Sequence, residues 1–250
     1  MNDINQKVSI ILYVYNAQDT LAACLDSLLE QTYSDLQIIA IDDNSKDKSH
    51  NILHVYKKLD KRIKVFRNVK TYGKSITLNR GINHINGKYV IFMSTSDTIT
   101  KDKVRKQLQF LEEHAKVVAV GTQCAYLNEQ RRRIGKSYFP TETHVISRTL
   151  FTGFALHSES VMINRFRLPK DFLHFLPVPN KRFSFTPLFI KLLRYGTIAN
   201  FDQQLQYHVK QEDIFSLQSE LISYIKLWLR ARFVYDLRLP LLTLFYPLVR

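Results

Sequence analysis

The tightest constraint on this chain is the alternation, from Val8 to Leu127, of short apolar runs rich in β-branched residues with segments of helical period. VSIILYVY (Val8 to Tyr15), LQIIAID (Leu36 to Asp42), IKVFRN (Ile63 to Asn68) and YVIFM (Tyr89 to Met93) are predicted strands. Between them, Leu21, Leu25, Leu28 and Leu29 share one face of a helix over Asp19 to Gln31, and Ile52, Leu53 and Tyr56 share a face over Lys46 to Leu59. Further helices are predicted for Ser75 to Ile85 and Asp102 to His114, then a strand for Val117 to Leu127. Apolar strands separated by amphipathic helices are the signature of βαβ units, so the fold class is α/β: a Rossmann-type, mainly parallel sheet flanked by helices.

Beyond Leu127 the pattern fades. Strands are predicted at Ser160 to Arg165 and Ile198 to Val209, with a helix near Leu188 to Tyr195 and a proline- and phenylalanine-containing loop from His174 to Pro187. In the last segment Leu217, Leu221, Ile225 and Trp228 fall on one helical face, with Lys226, Arg230 and Arg232 on the other. The apolar run that follows is broken by Asp236, Arg238 and two prolines and is short for a bilayer span. The expected organisation is one domain over residues 1–213, split at 127 into two halves, followed by a basic amphipathic helical tail over 214–250. The tail either lies on an anionic membrane surface or packs on the domain.

A net charge of +14 favours polyanions, an anionic membrane or a phosphorylated small molecule. No nucleic-acid-binding signature accompanies it, so nucleic acid is not an expected partner. Cys24 and Cys124 are too few for a disulfide framework and lie in apolar stretches, and the N-terminus shows no secretory pattern. A cytoplasmic protein, with its tail peripheral on the inner membrane face, is expected.

In an open parallel sheet, ligands bind beyond the carboxyl ends of the strands. The polar residues there are Tyr15 and Asn16, then Asp42, Asp43, Asn44 and Ser45, then Ser94, Thr95, Ser96 and Asp97. Adjacent carboxylates suit the imide N–H of a base and ribose hydroxyls, both of which are donors. Asp42 to Asp47 also suits an Asx turn that caps the next helix, and the residues alone leave both readings open.

Taken in order, VSIILYVYN, the helix ending CLDSLLEQTY, IIAIDDNSKDKS, LNRGINHINGKYVIFM and SDTITKDKVRKQLQFLEEH resemble the nucleotide-binding half of the family 2 glycosyltransferases. The resemblance implies a GT-A fold, a nucleotide-diphosphate sugar as donor, a glycan or lipid-linked acceptor and inverting transfer. By the same resemblance, Val14, Tyr15 and Asn16 hold the nucleoside, at least one of Asp42 and Asp43 contacts the base, and Asn79, Arg80 and Gly81 open the segment placed near the diphosphate. Ser94 and Ser96 also fall within this nucleotide site.

The chain departs from the family at several points. Tyr13 replaces a usual proline. The Asp-x-Asp-Asp motif reads Ser94, Thr95, Ser96, Asp97, which leaves Asp97 as a single weak ligand for magnesium or manganese, and no cofactor is required by the pattern. The Glu-Asp pair that supplies the base falls on Ser184 and Phe185, neither of which accepts a proton near neutral pH. Substitute acids or bases are Asp171, Asp202, Glu212, Asp213 and His157, although a structural role is expected for His157 and for His208. Lys70, Lys74, Arg80 and Lys88 are candidates to replace the charge of the metal. Three readings follow: a transferase, a catalytically inactive pseudo-glycosyltransferase that binds nucleotide sugar or supports a partner enzyme, and a basic membrane-surface scaffold in which Asp42 and Asp43 only shape a turn.

Overall fold

The computed structural model describes residues 6–150, 155–176 and 184–210, with residues 225, 226, 228, 229, 232 and 233 of the last segment. Its first half is strand and helix in alternation: β1 (Val8–Val14), α1 (Leu21–Leu29), β2 (Leu36–Asp42), α2 (Ser49–Leu59), β3 (Ile63–Arg67), α3 (Lys74–Ile82) and β4 (Tyr89–Ser94). The second half holds β5 (Asp97–Ile99), α4 (Lys103–Glu113), β6 (Val117–Leu127), β7 (Arg133–Lys136), α5 (Thr143–Thr149), β8 (Met162–Asn164), α6 (Thr186–Leu192) and β9 (Thr197–Val209). One sheet runs in the order β3-β2-β1-β4-β8-β6-β9-β5, with β7 paired to β6. β1 to β4 are parallel; β8 joins β4 antiparallel, and β6 and β9 pair parallel across a bulged register.

Alternation along each strand explains the apolar runs. Ile10, Leu12 and Val14 of β1 face a core shared with Leu21, Leu25 and Leu28 of α1, Leu53 of α2 and Leu108 of α4. Ile11 of β1 and Ile39 and Ile41 of β2 face the opposite core with Leu78 of α3, Phe92 of β4 and Leu188 and Phe189 of α6. With helices on both faces, neither set of side chains meets solvent, so the strands read as continuous apolar runs. α3 approaches the sheet closely at Gly81, where an added Cβ would lie 2.5 Å from Ile41 Cδ1 and 2.9 Å from Ile11 Cγ2.

Three elements escape the sequence reading. β5 has three residues, too few to show a period, and β7 is a mostly exposed edge strand of Arg, Ile, Gly and Lys. α5 is rich in Thr, Ser and His, which are weak helix formers. α2 starts at Ser49 rather than Lys46, because carboxylates hold the preceding turn: Ser45 N–H donates to Asp42 Oδ1 at 2.8 Å and Ser49 N–H to Asp47 Oδ1 at 2.9 Å. The strand expected over Ser160 to Arg165 is confined to Met162–Asn164, between 3-10 turns at Ser158–Ser160 and Arg165–Arg167. α6 begins inside the stretch expected as loop, with Pro187 in its first turn, where the missing N–H costs nothing. The six described residues of the tail are helical; Trp228 is buried and Phe233 exposed, and Asp213, Glu212 and most of the tail lie outside the described residues. Among the described residues no helix is long and apolar enough to cross a membrane.

Candidate functional site

β1 lies between β2 and β4, and the chain leaves it toward opposite sides of the sheet, which opens a crevice at the carboxyl ends of these strands. The register puts Val14 beside Asp42, Tyr13 beside Ser94 and Asp42 beside Arg67. The loops after β1 and β2 are joined along their length. Asn16 N–H donates to Ser45 Oγ at 3.0 Å, Lys46 N–H to Asn16 Oδ1 at 2.9 Å, Ala17 N–H to Ser49 Oγ at 2.8 Å and Gln18 N–H to Asp47 Oδ2 at 2.9 Å. Asn16 and Asn44 take φ of 46° and 62°, a left-handed conformation that asparagine tolerates better than most residues. Val14 is buried, the Asn16 side-chain oxygen is engaged, and Tyr15, 41% exposed, offers its ring to the crevice rim.

Both members of the carboxylate pair are fully buried. Asp42 Oδ1 accepts from Ser45 N–H, which is the Asx turn the sequence allowed. Its Oδ2 lies 3.2 Å from both Arg67 Nε and His50 Nδ1, an ion-pair distance without hydrogen-bond alignment. Burial and the neighbouring Arg67 charge hold His50 below the usual histidine range, so Arg67 is the cation that pairs with Asp42. Asp43 works on the other side of the crevice. Its Oδ1 accepts from Asn68 Nδ2 at 2.7 Å and Tyr72 N–H at 2.9 Å, and its Oδ2 from Gly73 N–H at 2.8 Å and the Tyr13 hydroxyl at 3.4 Å. Burial opposes its ionisation, but the donors of Tyr72, Asn68 and Gly73 outweigh it and hold the carboxyl below the ordinary aspartate range. Asp43 thereby ties the 68–73 loop to the end of β2.

Arg80 is exposed at its head, donates to Asn68 Oδ1 at 2.5 Å and lies over the Tyr72 ring at 4.1 Å, so it belongs to the same loop network. Asn79 exchanges two hydrogen bonds with the backbone of Phe175. Lys70 lies over the Tyr72 ring, Lys74 pairs with Glu159, and Lys88 pairs with Glu112 at the amino end of β4, away from the crevice.

A second cluster forms at the end of β4 and start of β5. Asp97 is fully buried; its Oδ1 is 2.5 Å from His208 Nδ1, and its Oδ2 accepts from Gln206 Nε2 at 2.6 Å and lies 3.4 Å from His157 Nε2. Asp97 and His208 are directly paired across β5 and β9, and the two imidazoles are 5.0 Å apart. Burial works against both charged forms, yet the histidine contacts hold Asp97 well below the aspartate range and Asp97 lifts His208 above the histidine range. Lys103, buried with no hydrogen-bond partner for Nζ, is pushed down to about 7 by burial, which Asp97 only partly offsets. Sequence reasoning found Asp97, His157 and His208 separately. It missed Gln206, Lys103 and the loop residues Asn68, Tyr72 and Gly73, whose partners are set by β5 and the turn before α3.

Residues 9–171 match the profile of glycosyl transferase family 2. The chain belongs to this family. It is 32% identical over 136 residues to the glycosyltransferase GlyA of Streptococcus pneumoniae, covering 54% of this chain and 19% of GlyA. It is 35% identical over 118 residues to the poly(ribitol-phosphate) beta-glucosyltransferase of Bacillus spizizenii, covering 46% of this chain and 19% of that protein. The chain therefore spans about a fifth of the length of either relative. In three dimensions it superposes on residues 1–349 of Staphylococcus aureus TarS in complex with UDP-GlcNAc with a TM-score of 0.73, at 20% identity, over 97% of this chain and 70% of that one. The fold is GT-A.

The family 2 positions for metal and base are altered in kind. Ser94 and Ser96 bring neutral hydroxyls, and Ser94 Oγ accepts from Ser96 N–H at 3.2 Å. Hard divalent cations bind carboxylates and phosphate oxygens, so these two residues do not fit the family's metal. Phe185, at the base position, is 2% exposed and packs with Phe92, Phe175 and Phe189, while Ser184 is half-buried beside it. Asp171 is exposed and lines a groove of about 850 Å³ with Arg80, Arg165, Phe166 and His174. His157 alone among the substitute bases joins Asp97.

Proposed function

We propose that the chain binds a nucleotide-diphosphate sugar at the carboxyl ends of β1, β2 and β4 and, on its own, transfers the sugar slowly or not at all, as a pseudo-glycosyltransferase that supports a partner enzyme. The observation that carries this reading is Phe185. A buried ring in an aromatic cluster stands where family 2 enzymes keep their base, and no small side-chain movement converts it into a proton acceptor. Donor binding is supported by the family, by the zipped loops after β1 and β2, and by the exposed Tyr15 ring. In this reading Val14, Tyr15 and Asn16 receive the nucleoside, Asp42 and Asp43 shape the floor beneath the base and ribose, and Arg80 faces the diphosphate. The tail meets an anionic membrane surface through Lys226, Arg230 and Arg232.

A second reading is favoured by one observation: Asp97, His157 and His208 keep titratable groups together beside Ser94 and Ser96. In it the chain is an inverting transferase acting on a hydroxyl of a glycan or lipid-linked acceptor, with a substitute for the missing carboxylates. A panel of UDP- and GDP-sugars, followed by calorimetry for binding and by nucleotide release for turnover, separates the two. Binding without turnover supports the first reading. Turnover near an ordinary enzymatic rate of about 1 per second sinks it, and absence of any nucleotide binding sinks both.

A further inference from the structure

Asp97, His157 and His208 offer one carboxylate oxygen and two imidazole nitrogens, all within 4.8 Å of one another. Tetrahedral zinc, with bonds of about 2.0 to 2.1 Å, holds its ligand atoms about 3.3 Å apart. The separations of 2.5 Å between Asp97 Oδ1 and His208 Nδ1 and 3.4 Å between Asp97 Oδ2 and His157 Nε2 bracket that value. Small rotations of the side chains suffice to admit an ion.

The scaffold is of the kind that holds ligands in place. Asp97 and His208 occupy opposed positions of an antiparallel strand pair. His157 precedes the 3-10 turn at Ser158–Ser160, and Ser160 fastens that turn by donating to His157 O at 2.8 Å and accepting from Thr122 N–H at 3.1 Å. Gln206 Nε2 donates to Asp97 Oδ2, an outer contact that orients a ligating carboxylate. The His157 and His208 side chains are 13% and 23% exposed, which gives an ion a route from solvent.

We propose that Asp97, His157 and His208 bind one divalent transition-metal ion of zinc-like preference, with a coordination position left for water or an anionic oxygen. Two nitrogens and one oxygen select zinc, cobalt(II) or nickel over magnesium, which favours oxygen and retains its water. The site differs from the family's carboxylate motif, whose first two acids are Ser94 and Ser96 in this chain. Lys103 opposes a cation through its proximity to Asp97, whereas Lys74 is neutralised by Glu159. Because zinc is titrated without donor or acceptor, the proposal stands or falls independently of sugar transfer.

The test is calorimetric titration of zinc, and optical titration of cobalt(II), into tag-free, chelator-treated protein. His50 and His54, with Nε2 atoms 3.1 Å apart on an exposed helix face, are a competing pair, so all proteins carry His54→Gln. One equivalent of zinc should bind, with cobalt giving the visible absorption of a four-coordinate ion. His157→Gln and His208→Gln should each weaken zinc at least about ten-fold, since even outer-shell changes cost ten- to a hundred-fold. Excess magnesium should not compete. Far-UV circular dichroism checks folding; should His208→Gln not fold, His157→Gln, which loses a single 3.4 Å contact, still decides the matter. Absence of zinc binding by the folded protein, or affinity unchanged in the folded histidine variants, overturns the site.

Discussion

Replacing Asp43 with alanine should unfold the rim of the crevice before it alters any contact with a ligand. The carboxylate accepts from Asn68 Nδ2, Tyr72 N–H and Gly73 N–H at 2.7 to 2.9 Å, and more weakly from the Tyr13 hydroxyl at 3.4 Å. A buried donor left without a partner costs about 1 to 3 kcal/mol. Tyr72 and Gly73 are only half-buried and can recover water, so the low end applies, and three donors give a loss of about 3 kcal/mol. Asp43→Asn should cost less, because one oxygen remains while the amide nitrogen meets the N–H groups. The pH dependence follows from the lowered pKa of Asp43. A carboxyl held below its unfolded value of about 3.9 contributes stability that is whole above that pH and is lost as pH falls through the folded pKa. Urea denaturation of the wild type and both variants at pH 7, and of wild type and Asp43→Asn from pH 5 down to pH 3, provides the assay. Wild type should lose stability on the acid side, and Asp43→Asn should lose less of it. If Asp43→Ala matched the wild type within about 0.5 kcal/mol but no longer bound donor, the carboxylate would be facing the ligand and the loop argument would be wrong.

Three further outcomes are expected. Tyr15→Ala should leave stability within about 0.5 kcal/mol of wild type, since the ring is a surface group, and weaken nucleotide binding by about 1 to 3 kcal/mol, the range for a base stacked on an aromatic side chain; equal affinity in calorimetry removes Tyr15 from the site. Phe185→Ala should lower the urea-denaturation stability by about 3 to 5 kcal/mol, the cost of emptying an aromatic core position, and a loss under about 1 kcal/mol would mean the ring is not core. Donor affinity should respond little to magnesium but fall as salt rises from 0.05 to about 0.5 M, because lysine and arginine contacts to phosphate are screened; a strict magnesium requirement contradicts this.

The sequence carried the nucleotide half of the fold because its signals are local and redundant. Ile10, Leu12 and Val14 face one core and Ile11 the other, so a strand apolar on both sides could only belong to a covered parallel sheet. The second half is built from long-range pairing that leaves little local trace. β5 is three residues long and meaningful only because Asp97 faces His208, which is 111 positions away. The same difference governs the two halves of the site. Asp42 and Asp43 stood out as a pair at a strand end, yet their neighbours in sequence could not say which donors they serve: Asp42 turns to Ser45 and Arg67, Asp43 to a loop 25 to 30 residues on. Asp97 looked like the remnant of an acidic motif, with one ligand too few for a metal. Folding supplies what the motif lacks, since β9 and the turn before β8 each bring a histidine to it. A reading confined to spacing counts the lost carboxylates and concludes that the site is empty of chemistry. The register of β5 against β9 argues instead that the chemistry has changed from hard oxygen ligands to nitrogen.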